Sequence, residues 1–172
     1  MARDVVMVNG LPGSGKSSLA PRLANALGAA FLSKDRIKEA LADALVAEMP
    51  ALGAVAMETV WLLAANSAGT VVIDSWWFRP RDLEHARKGL AASGATGVVE
   101  VWCDVPADVA RRRFVTRNRR DLYRDDDRLA ADWPTWAAEA EPLGLGTVLR
   151  VDTQQPIDVT GLTGQVRAAL WG

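Results

Sequence analysis

The stretch Gly10–Ser17 reads GLPGSGKS, which matches the pattern G-x-x-x-x-G-K-S at every fixed position. The apolar run Val5–Val8 precedes it and a helical pattern begins at Ser17, so the stretch joins a strand to a helix. Glycines allow a tight loop whose backbone N–H groups point inward, and the start of the helix adds a positive potential. The stretch therefore predicts a site for the phosphates of a nucleoside triphosphate.

Polar side chains of this loop have separate predicted roles. Lys16 reaches the β- and γ-phosphate oxygens, the Ser17 hydroxyl ligates Mg²⁺, and Ser18 contacts the α-phosphate. The alternative is a glycine-rich turn that only joins strand to helix, but lysine followed by serine at this point favours nucleotide binding. The predicted nucleotide contacts here are Leu11, Pro12, Gly13, Ser14, Gly15, Lys16, Ser17 and Ser18.

Five short apolar runs alternate with helical patterns, which predicts an α/β fold with helices on both faces of a sheet. Near-continuous valine, isoleucine and leucine indicate strands covered on both faces, as in a parallel sheet with right-handed crossovers. No internal repeat or linker interrupts the 172 residues, so one domain, 1–172, is expected. The predicted strands are Val5–Val8, Ala30–Ser33, Thr70–Asp74, Gly97–Cys103 and Thr147–Val151.

Apolar residues at helical spacing predict six helices. The segment Asp121–Gly146 fits either a lid or a short amphipathic helix, and its acidic run Asp125–Asp127 is interpreted as a solvated turn rather than a metal site. The predicted helices are Ser17–Leu27, Asp35–Leu45, Gly53–Ala68, Pro80–Ala92, Pro106–Arg117 and Ile157–Leu170.

Composition excludes several classes of function. Twenty basic and 21 acidic side chains give a net charge of -1, so nothing global favours nucleic acid or an acidic membrane. A single cysteine, Cys103, and a single histidine, His85, exclude a disulfide framework and a Cys/His zinc cluster. No apolar run is long enough to span a membrane and the N-terminus has no signal core, so we expect a cytoplasmic protein without a membrane partner.

Two aspartates follow predicted strands at the edge where open α/β sheets bind ligands. Asp35 is predicted to accept the proton of an attacking hydroxyl group. A cap on a helix beginning at Arg36 is the alternative, and it is compatible with catalysis. Asp74 is predicted to bind Mg²⁺ through water, with a cap on Ser75 or Trp76 as the alternative.

Six arginines lie between Ala107 and Asp121 and form the local basic site. Arg113 and Arg117 are four residues apart, so on a helix they would share a face and contact the nucleotide, one at the base and one at phosphate. An exposed charge is an equal alternative for each arginine taken singly, and the cluster leaves RNA binding open.

Aromatic residues follow Asp74 directly, and some of them are predicted to line an acceptor pocket, where flat rings stack on a sugar or a base. These are Trp76, Trp77 and Phe78. By contrast, Trp61, Trp102 and Trp171 are interpreted as core residues, and His85 as a surface residue.

Taken together, Gly10–Ser18, Asp35, Asp74 and Cys103–Arg117 resemble the small P-loop kinases, which include adenylate, gluconate and shikimate kinases. Ser33-Lys34-Asp35 with Ile37-Lys38, and Val151-Asp152-Thr153, look most like the branch of chloramphenicol phosphotransferase, zeta-toxin-like kinases and polynucleotide 5'-kinase. The resemblance covers nearly the whole chain. It implies a three-layer P-loop fold, a five-stranded parallel sheet of order 2-3-1-4-5, and a short arginine-rich lid around 111–127.

Roles for single residues also follow from the resemblance. It implies that Arg113 lies near adenine, that Arg117 contacts phosphate, and that Thr153 lies beside the base. Lys38 and Arg79 are assigned with Asp35, Trp76 and Trp77 to the acceptor site. The segment Asp74–Arg79 resembles a segment of adenylate kinases but lacks its glycine and proline, which argues against a nucleoside monophosphate acceptor.

The implied activity is ATP- and Mg²⁺-dependent phosphoryl transfer to a hydroxyl group of a small molecule, with Asp35, Lys16 and Arg117 as the catalytic residues. A 5'-hydroxyl polynucleotide or nucleotide kinase is one alternative, favoured by the arginines but not by the net charge. A non-catalytic ATP-binding regulator is the other, because switches and motors share the phosphate-binding loop.

Overall fold

A computed structural model describes residues 3–45, 47, 49–117, 123 and 125–172 of the chain. In these ranges, five parallel strands form one sheet in the order β2-β3-β1-β4-β5, which confirms the expected order. Their bounds are β1 (Arg3–Asn9), β2 (Ala30–Ser33), β3 (Thr70–Asp74), β4 (Ala95–Asp104) and β5 (Thr147–Asp152).

Helices cover both faces of the sheet, as predicted. Val5 and Met7 of β1 pack with helices α3 and α4, whereas Val6 and Val8 pack with α1 and α8. Both faces of the central strand are therefore buried, which explains its unbroken apolar run. The helices are α1 (Lys16–Leu27), α2 (Lys34–Ala44), α3 (Leu52–Asn66), α4 (Arg79–Ser93), α5 (Ala107–Thr116), α6 (Asp125–Ala131), α7 (Trp133–Glu139) and α8 (Val159–Trp171).

The segment before β5 contains the short helices α6 and α7, which agrees with the short-helix alternative of the prediction. Its acidic run Asp125–Asp127 forms the first turn of α6 and not a turn between elements, although Asp126 and Asp127 are exposed to solvent as expected. Carboxylates in a first turn are favoured because they face the positive end of the helix dipole. Residues 118–122 and 124, in the middle of the predicted lid, lie outside the described residues, and with them Arg119 and Arg120.

Two other predictions concern single side chains. Trp171 is 57% exposed, so its assignment to the core is wrong; its indole N–H donates to Asp4 at the surface. Cys103 is buried at the end of β4, and burial raises the pKa of its thiol to about 12. No helix within the described ranges is long and apolar enough to cross a membrane.

A small third core positions the phosphate-binding loop. Leu11 of the loop packs with Phe114 of α5, with Trp133 and Trp136 of α7, and with Phe78 after β3. The loop is thus anchored on its outer side by apolar contacts from three segments that are distant in sequence.

Candidate active site

The loop between β1 and α1 depends on glycine at two positions. Gly13 has φ +87 and Gly15 has φ +94, a left-handed conformation that residues with a Cβ rarely adopt. A Cβ at Gly13 would also lie 2.2 Å from the carbonyl oxygen of Ala110 in α5. Gly13 is therefore needed both for its conformation and for the close approach of α5.

Several hydrogen-bond donors of this loop are available to bind an anion. Ser18 and Leu19 donate their N–H groups to the carbonyl of Gly15, whereas the amides of Lys16 and Ser17 find no acceptor among the described residues. The hydroxyl of Ser14 is buried and has no hydrogen-bond partner there either. Free donors at a helix N-terminus are the elements that bind phosphate.

Lys16 lies folded over its own loop. Its Nζ donates to the carbonyls of Gly10 at 2.8 Å and Leu11 at 2.9 Å. Burial lowers the pKa of the Lys16 ammonium, and the neighbouring carboxylate of Asp74 opposes that shift. The ammonium thus lies beside the loop donors, on the wall of a cavity.

Ser17 and Asp74, the two predicted metal ligands, lie next to each other. Asp74 ends β3 in register with Val8 of β1 and Ser33 of β2. Burial raises the pKa of Asp74, while the Lys16 ammonium and a hydrogen bond from the Ser17 hydroxyl oppose the shift. The pair offers hydroxyl and carboxylate oxygens, the donors that Mg²⁺ prefers, so these residues fit the ion. The amide of Ser75, predicted as one possible partner of an Asp74 cap, donates instead to Val8.

Ser17→Ala should raise the Mg²⁺ concentration needed for half-maximal turnover by at least about tenfold, because the variant loses one oxygen donor. Titrating Mg²⁺ at fixed ATP measures the effect. Ser67→Ala, at the exposed end of α3, is the control for loss of a hydroxyl group. An unchanged metal requirement in Ser17→Ala would remove Ser17 from the ligand set.

Asp35 does not cap a helix. Helix α2 begins at Lys34, and its N-cap is Ser33, whose hydroxyl accepts the N–H of Arg36 at 3.5 Å. The cap interpretation of Asp35 is therefore wrong. The residue lies in the first turn of α2, and its backbone carbonyl accepts a hydrogen bond from the Tyr123 hydroxyl at 3.2 Å.

Two adjoining cavities meet at the carboxyl edge of the sheet. The smaller, of about 80 Å³, is lined by Lys16, Ser17, Asp35 and Asp74. The larger, of about 350 Å³, extends between α3 and α4. Residues that line both cavities are Lys34, Ser75, Trp76, Arg81 and Arg128.

The residues predicted for the acceptor site divide between these cavities and other positions. Trp76 lines both cavities, and Trp77, 2% exposed, lines the larger one. Lys38 is outside both linings, with its Nζ 4.7 Å from the ring centre of Tyr123. Arg79 also lies outside both and pairs with Glu141 at 3.1 Å.

Arg81, and not the predicted Arg79, lines the cavities. Both belong to the first turn of α4, but only Arg81 lines the cavities. Arg79-Pro80-Arg81 contains two arginines on different sides of one helical turn, and the sequence does not indicate which side faces the sheet edge. His85, half exposed as expected, lines the larger cavity and pairs with Glu58 at 3.0 Å.

Arg113 and Arg117 do not share a helix face. Helix α5 ends at Thr116, and Arg117 is extended with φ -78 and ψ 135, so the helical spacing does not apply to it. Its guanidinium lies 4.2 Å from the ring centre of Phe114, on the wall of the smaller cavity. Arg113 is exposed and donates to the carbonyl of Thr153 at 3.2 Å.

Thr153 connects the end of β5 to the phosphate-binding loop. Its hydroxyl donates to the carbonyl of Ser14 at 2.6 Å, and its amide donates to Asp104 at 3.1 Å. Thr153, Arg113 and the loop, which the resemblance assigns to the nucleotide, are therefore in contact.

A buried polar network was missed by the sequence analysis. Asn9 donates to Glu100 at 2.9 Å and accepts the N–H groups of Gly10 at 2.8 Å and Trp77 at 3.0 Å. Glu100, on the next strand, also accepts the N–H of Leu143 at 2.9 Å. The network ties the loop to the wall of the larger cavity, and its one signal in the sequence is a glutamate inside an apolar strand.

Known proteins similar to this chain give the same fold. The model of the AAA_33 family, an AAA domain, matches residues 5–143. An uncharacterized protein of Mycobacterium tuberculosis is 31% identical over 128 residues, which are 66% of this chain and 25% of that protein. The chain therefore spans about a quarter of the length of the curated relatives it matches.

Solved structures extend the comparison. A candidate kinase from Chloroflexus aurantiacus has a TM-score of 0.77 and 23% identity, covering 99% of this chain and 100% of that one. Shikimate kinase from Bacteroides thetaiotaomicron has a TM-score of 0.61 and 17% identity over 95% and 96% of the two chains. Gluconokinase from Sinorhizobium meliloti has a TM-score of 0.59 and 18% identity over 96% and 90%.

At these identities the structures establish the fold alone, a P-loop fold shared with kinases of small molecules. The family match covers most of the chain and includes the phosphate-binding loop. The phosphate-binding loop, the sheet order and this match agree with one another, and the chain belongs to the AAA_33 family of AAA domains.

Proposed function

We propose that this chain is an ATP-dependent phosphotransferase that moves the γ-phosphoryl group to a hydroxyl group of a small molecule. The observation that carries the proposal is the pair of adjoining cavities. The smaller one brings the phosphate-binding loop and Asp35 together, and the larger one shares a wall with it. A volume of about 350 Å³ lies within the range typical of small-molecule sites.

In the proposed reaction the acceptor hydroxyl oxygen attacks the γ-phosphorus, and the bond from that phosphorus to the β,γ-bridging oxygen breaks. The bonding electron pair leaves with ADP, and the hydroxyl proton passes to the Asp35 carboxylate. Lys16 and Arg117 hold the phosphoryl oxygens as negative charge moves to the bridging oxygen. Arg113 and Thr153 bind the nucleotide on the other side of the loop.

Ser17 and Asp74 would hold Mg²⁺ in this proposal, Asp74 through water. When bound, the ion would neutralise part of the negative charge on the phosphate oxygens. Asp74 suits this role because its carboxylate is buried beside the loop and already accepts a hydrogen bond from Ser17.

The proposal is tested by incubating the purified chain with ATP and Mg²⁺ and a panel of acceptors. The panel contains hydroxylated metabolites, antibiotics and oligonucleotides with a 5'-hydroxyl group, and acceptor-dependent ADP release is the readout. ADP release that is slow and unchanged by every acceptor would favour the non-catalytic regulator instead.

A polynucleotide acceptor is kept in the panel because Arg111, Arg112 and Arg113 are exposed on α5. Arg112 already pairs with Asp108 at 2.7 Å, so it is partly neutralised. For an oligonucleotide acceptor, KM should rise steeply with salt because phosphate contacts release counterions. A small neutral acceptor should show little salt dependence.

Arg117→Ala should lower kcat by about 10²- to 10³-fold and change the KM for ATP less, because a clamp on moving charge acts mainly in the transition state. Arg113→Ala should mainly raise the KM for ATP. Steady-state kinetics in ATP separate the two effects, with Arg111→Ala, another exposed arginine of α5, as the control. Small and equal effects of all three substitutions would make this group of arginines a solvated surface.

A further inference from the structure

The wall between the two cavities is cationic. Lys34 at the start of α2, Arg81 in the first turn of α4, and Arg128 in α6 line both cavities. Among the described residues that line the larger cavity, Asp82 is the one carboxylate. The three cations thus outnumber the carboxylates of the larger cavity, whereas Asp35, Asp74 and Asp125 line the smaller one.

The carboxylate of Asp82 contacts two groups, one on its own helix and one on the residue before that helix. Its carboxylate accepts the N–H of Phe78 at 2.8 Å and pairs with Arg81 at 2.7 Å. It therefore holds Arg81 against the cavity wall, and its charge also favours the ammonium form of Lys34, which raises the pKa of that group. His85, at the same cavity, pairs with Glu58 on α3.

The side chains of Lys34 and Arg128 make no hydrogen bond or ion pair within the described part of the chain. Burial lowers the pKa of Lys34; Asp35 opposes this shift, and the charges of Arg81 and Arg128 add to it. The three cations thus lie close enough to repel one another. An anion between them would reduce that repulsion and accept charge-assisted hydrogen bonds from them.

Apart from Ser75 and His85, the rest of the larger cavity is lined by apolar residues and glycine. Met57 of α3, with Trp76 and Trp77 after β3, faces the space beside the cations. Aromatic faces of this kind bind the carbon skeleton of a ring or a short chain. A ligand that fits both walls carries a charged group at one end and an apolar face along its length.

We infer that the acceptor is an organic anion, a small hydroxylated molecule whose carboxylate or phosphate group binds Lys34, Arg81 and Arg128. Its carbon skeleton packs on Met57, Trp76 and Trp77, and its hydroxyl group faces Asp35 in the smaller cavity. This inference rests on the proposed function, because it names the class of molecule that the transfer site receives.

The nucleotide is the competing source of an anion, because the same three cations also line the smaller cavity. The two sources differ in kinetics. Loss of a cation that binds the acceptor raises the KM for the acceptor, whereas loss of one that binds the γ-phosphate raises the KM for ATP.

The test pairs anionic acceptors with neutral counterparts: shikimate with its methyl ester, gluconate with glucitol, and glycerol 3-phosphate with glycerol. Acceptor-dependent ADP release is measured for the native chain, Lys34→Met and Arg128→Met. Arg87→Met is the control, since Arg87 lies on α4 outside both cavities and pairs with Glu84. The shikimate and gluconate pairs test for a site that binds a carboxylate, and the glycerol 3-phosphate pair tests for one that binds a phosphate group.

We expect the native chain to phosphorylate the anionic acceptor of at least one pair and to phosphorylate its neutral counterpart much more slowly. Lys34→Met and Arg128→Met should each raise the acceptor KM about 10- to 100-fold, the loss of one charge-assisted hydrogen bond, and leave the ATP KM within about twofold. The double variant should melt no lower than the native chain, because two repelling cations are removed and no ion pair is broken.

Two kinetic results would overturn the inference and leave the proposed function intact. One is equal turnover of neutral and anionic members with equal KM. The other is a rise in the ATP KM without a rise in the acceptor KM, which would assign the cations to the nucleotide.

Binding is also measured without turnover, as the shift in melting temperature that each panel member produces at millimolar concentration. If no compound is phosphorylated but the anions raise the melting temperature of the native chain and not that of the double variant, the anion site stands and the proposed transfer fails. If no anion stabilises the native chain more than the double variant, the inference is overturned.

Discussion

Asp35→Asn should lower acceptor phosphorylation by about two to four orders of magnitude while the fold and the ATP affinity stay the same. The amide is nearly isosteric with the carboxylate but cannot take up the proton of the attacking hydroxyl group. Helix α2 should be unaffected, because its N-cap is Ser33 and not Asp35. Melting temperature, ATP affinity and acceptor-dependent ADP release are measured side by side.

Asp43→Asn, at the exposed end of α2, is the matched control, since it removes one carboxylate from the same helix. It should leave phosphorylation unchanged. Near-normal transfer by Asp35→Asn would exclude Asp35 as the base and make Asp74, one of the two further carboxylates of the smaller cavity with Asp125, the next candidate.

Lys16→Ala should abolish measurable transfer, with a loss of at least about 10²- to 10³-fold in kcat, and should also weaken ATP binding. In the proposed reaction, the substitution removes the ammonium that follows negative charge from the γ-phosphate to the bridging oxygen. In the structure this ammonium donates to the carbonyls of Gly10 and Leu11, beside the donors of the loop. Single-turnover kinetics and ATP titration separate the two losses.

Lys88→Ala is the control for loss of a lysine, because Lys88 is exposed on α4. Its turnover and ATP affinity should match those of the native chain. Turnover by Lys16→Ala at the native rate would contradict the assignment of Gly10–Ser18 as the phosphate-binding site, whatever the acceptor proves to be.

Elements whose signals are local were predicted closely from the sequence. The strand Thr70–Asp74 has the predicted bounds, and β1 and β4 are each longer by two residues at the N-terminal end and one at the C-terminal end. The apolar runs are sufficient to predict these strands, because a strand that is buried on both faces consists almost entirely of apolar residues. The strand order came from the resemblance to small P-loop kinases, since no local pattern states which strands are neighbours.

Errors arose where a side chain's direction depends on contacts between distant segments. Arg117 was assigned to a helix face, but α5 ends one residue earlier and the chain turns toward Phe114 and Asp125. Arg79 was chosen in place of Arg81, because the side of α4 that faces the cavity is set by its packing on α3 and the sheet.

From the sequence alone, the α/β class, the phosphate-binding loop and the positions of Asp35 and Asp74 near the carboxyl edge of the sheet could be predicted, because each depends on neighbours within a few residues. Only the tertiary structure brought Lys34, Arg81 and Arg128 from three helices to one wall, and joined Asn9 to Glu100 beneath it. These groups lie far apart along the chain, and their contacts result from the order of strands in the sheet and the packing of helices upon it. Charge and hydrogen bonding act through space, so the proposed acceptor site depends on the tertiary fold and not on any one stretch of the sequence.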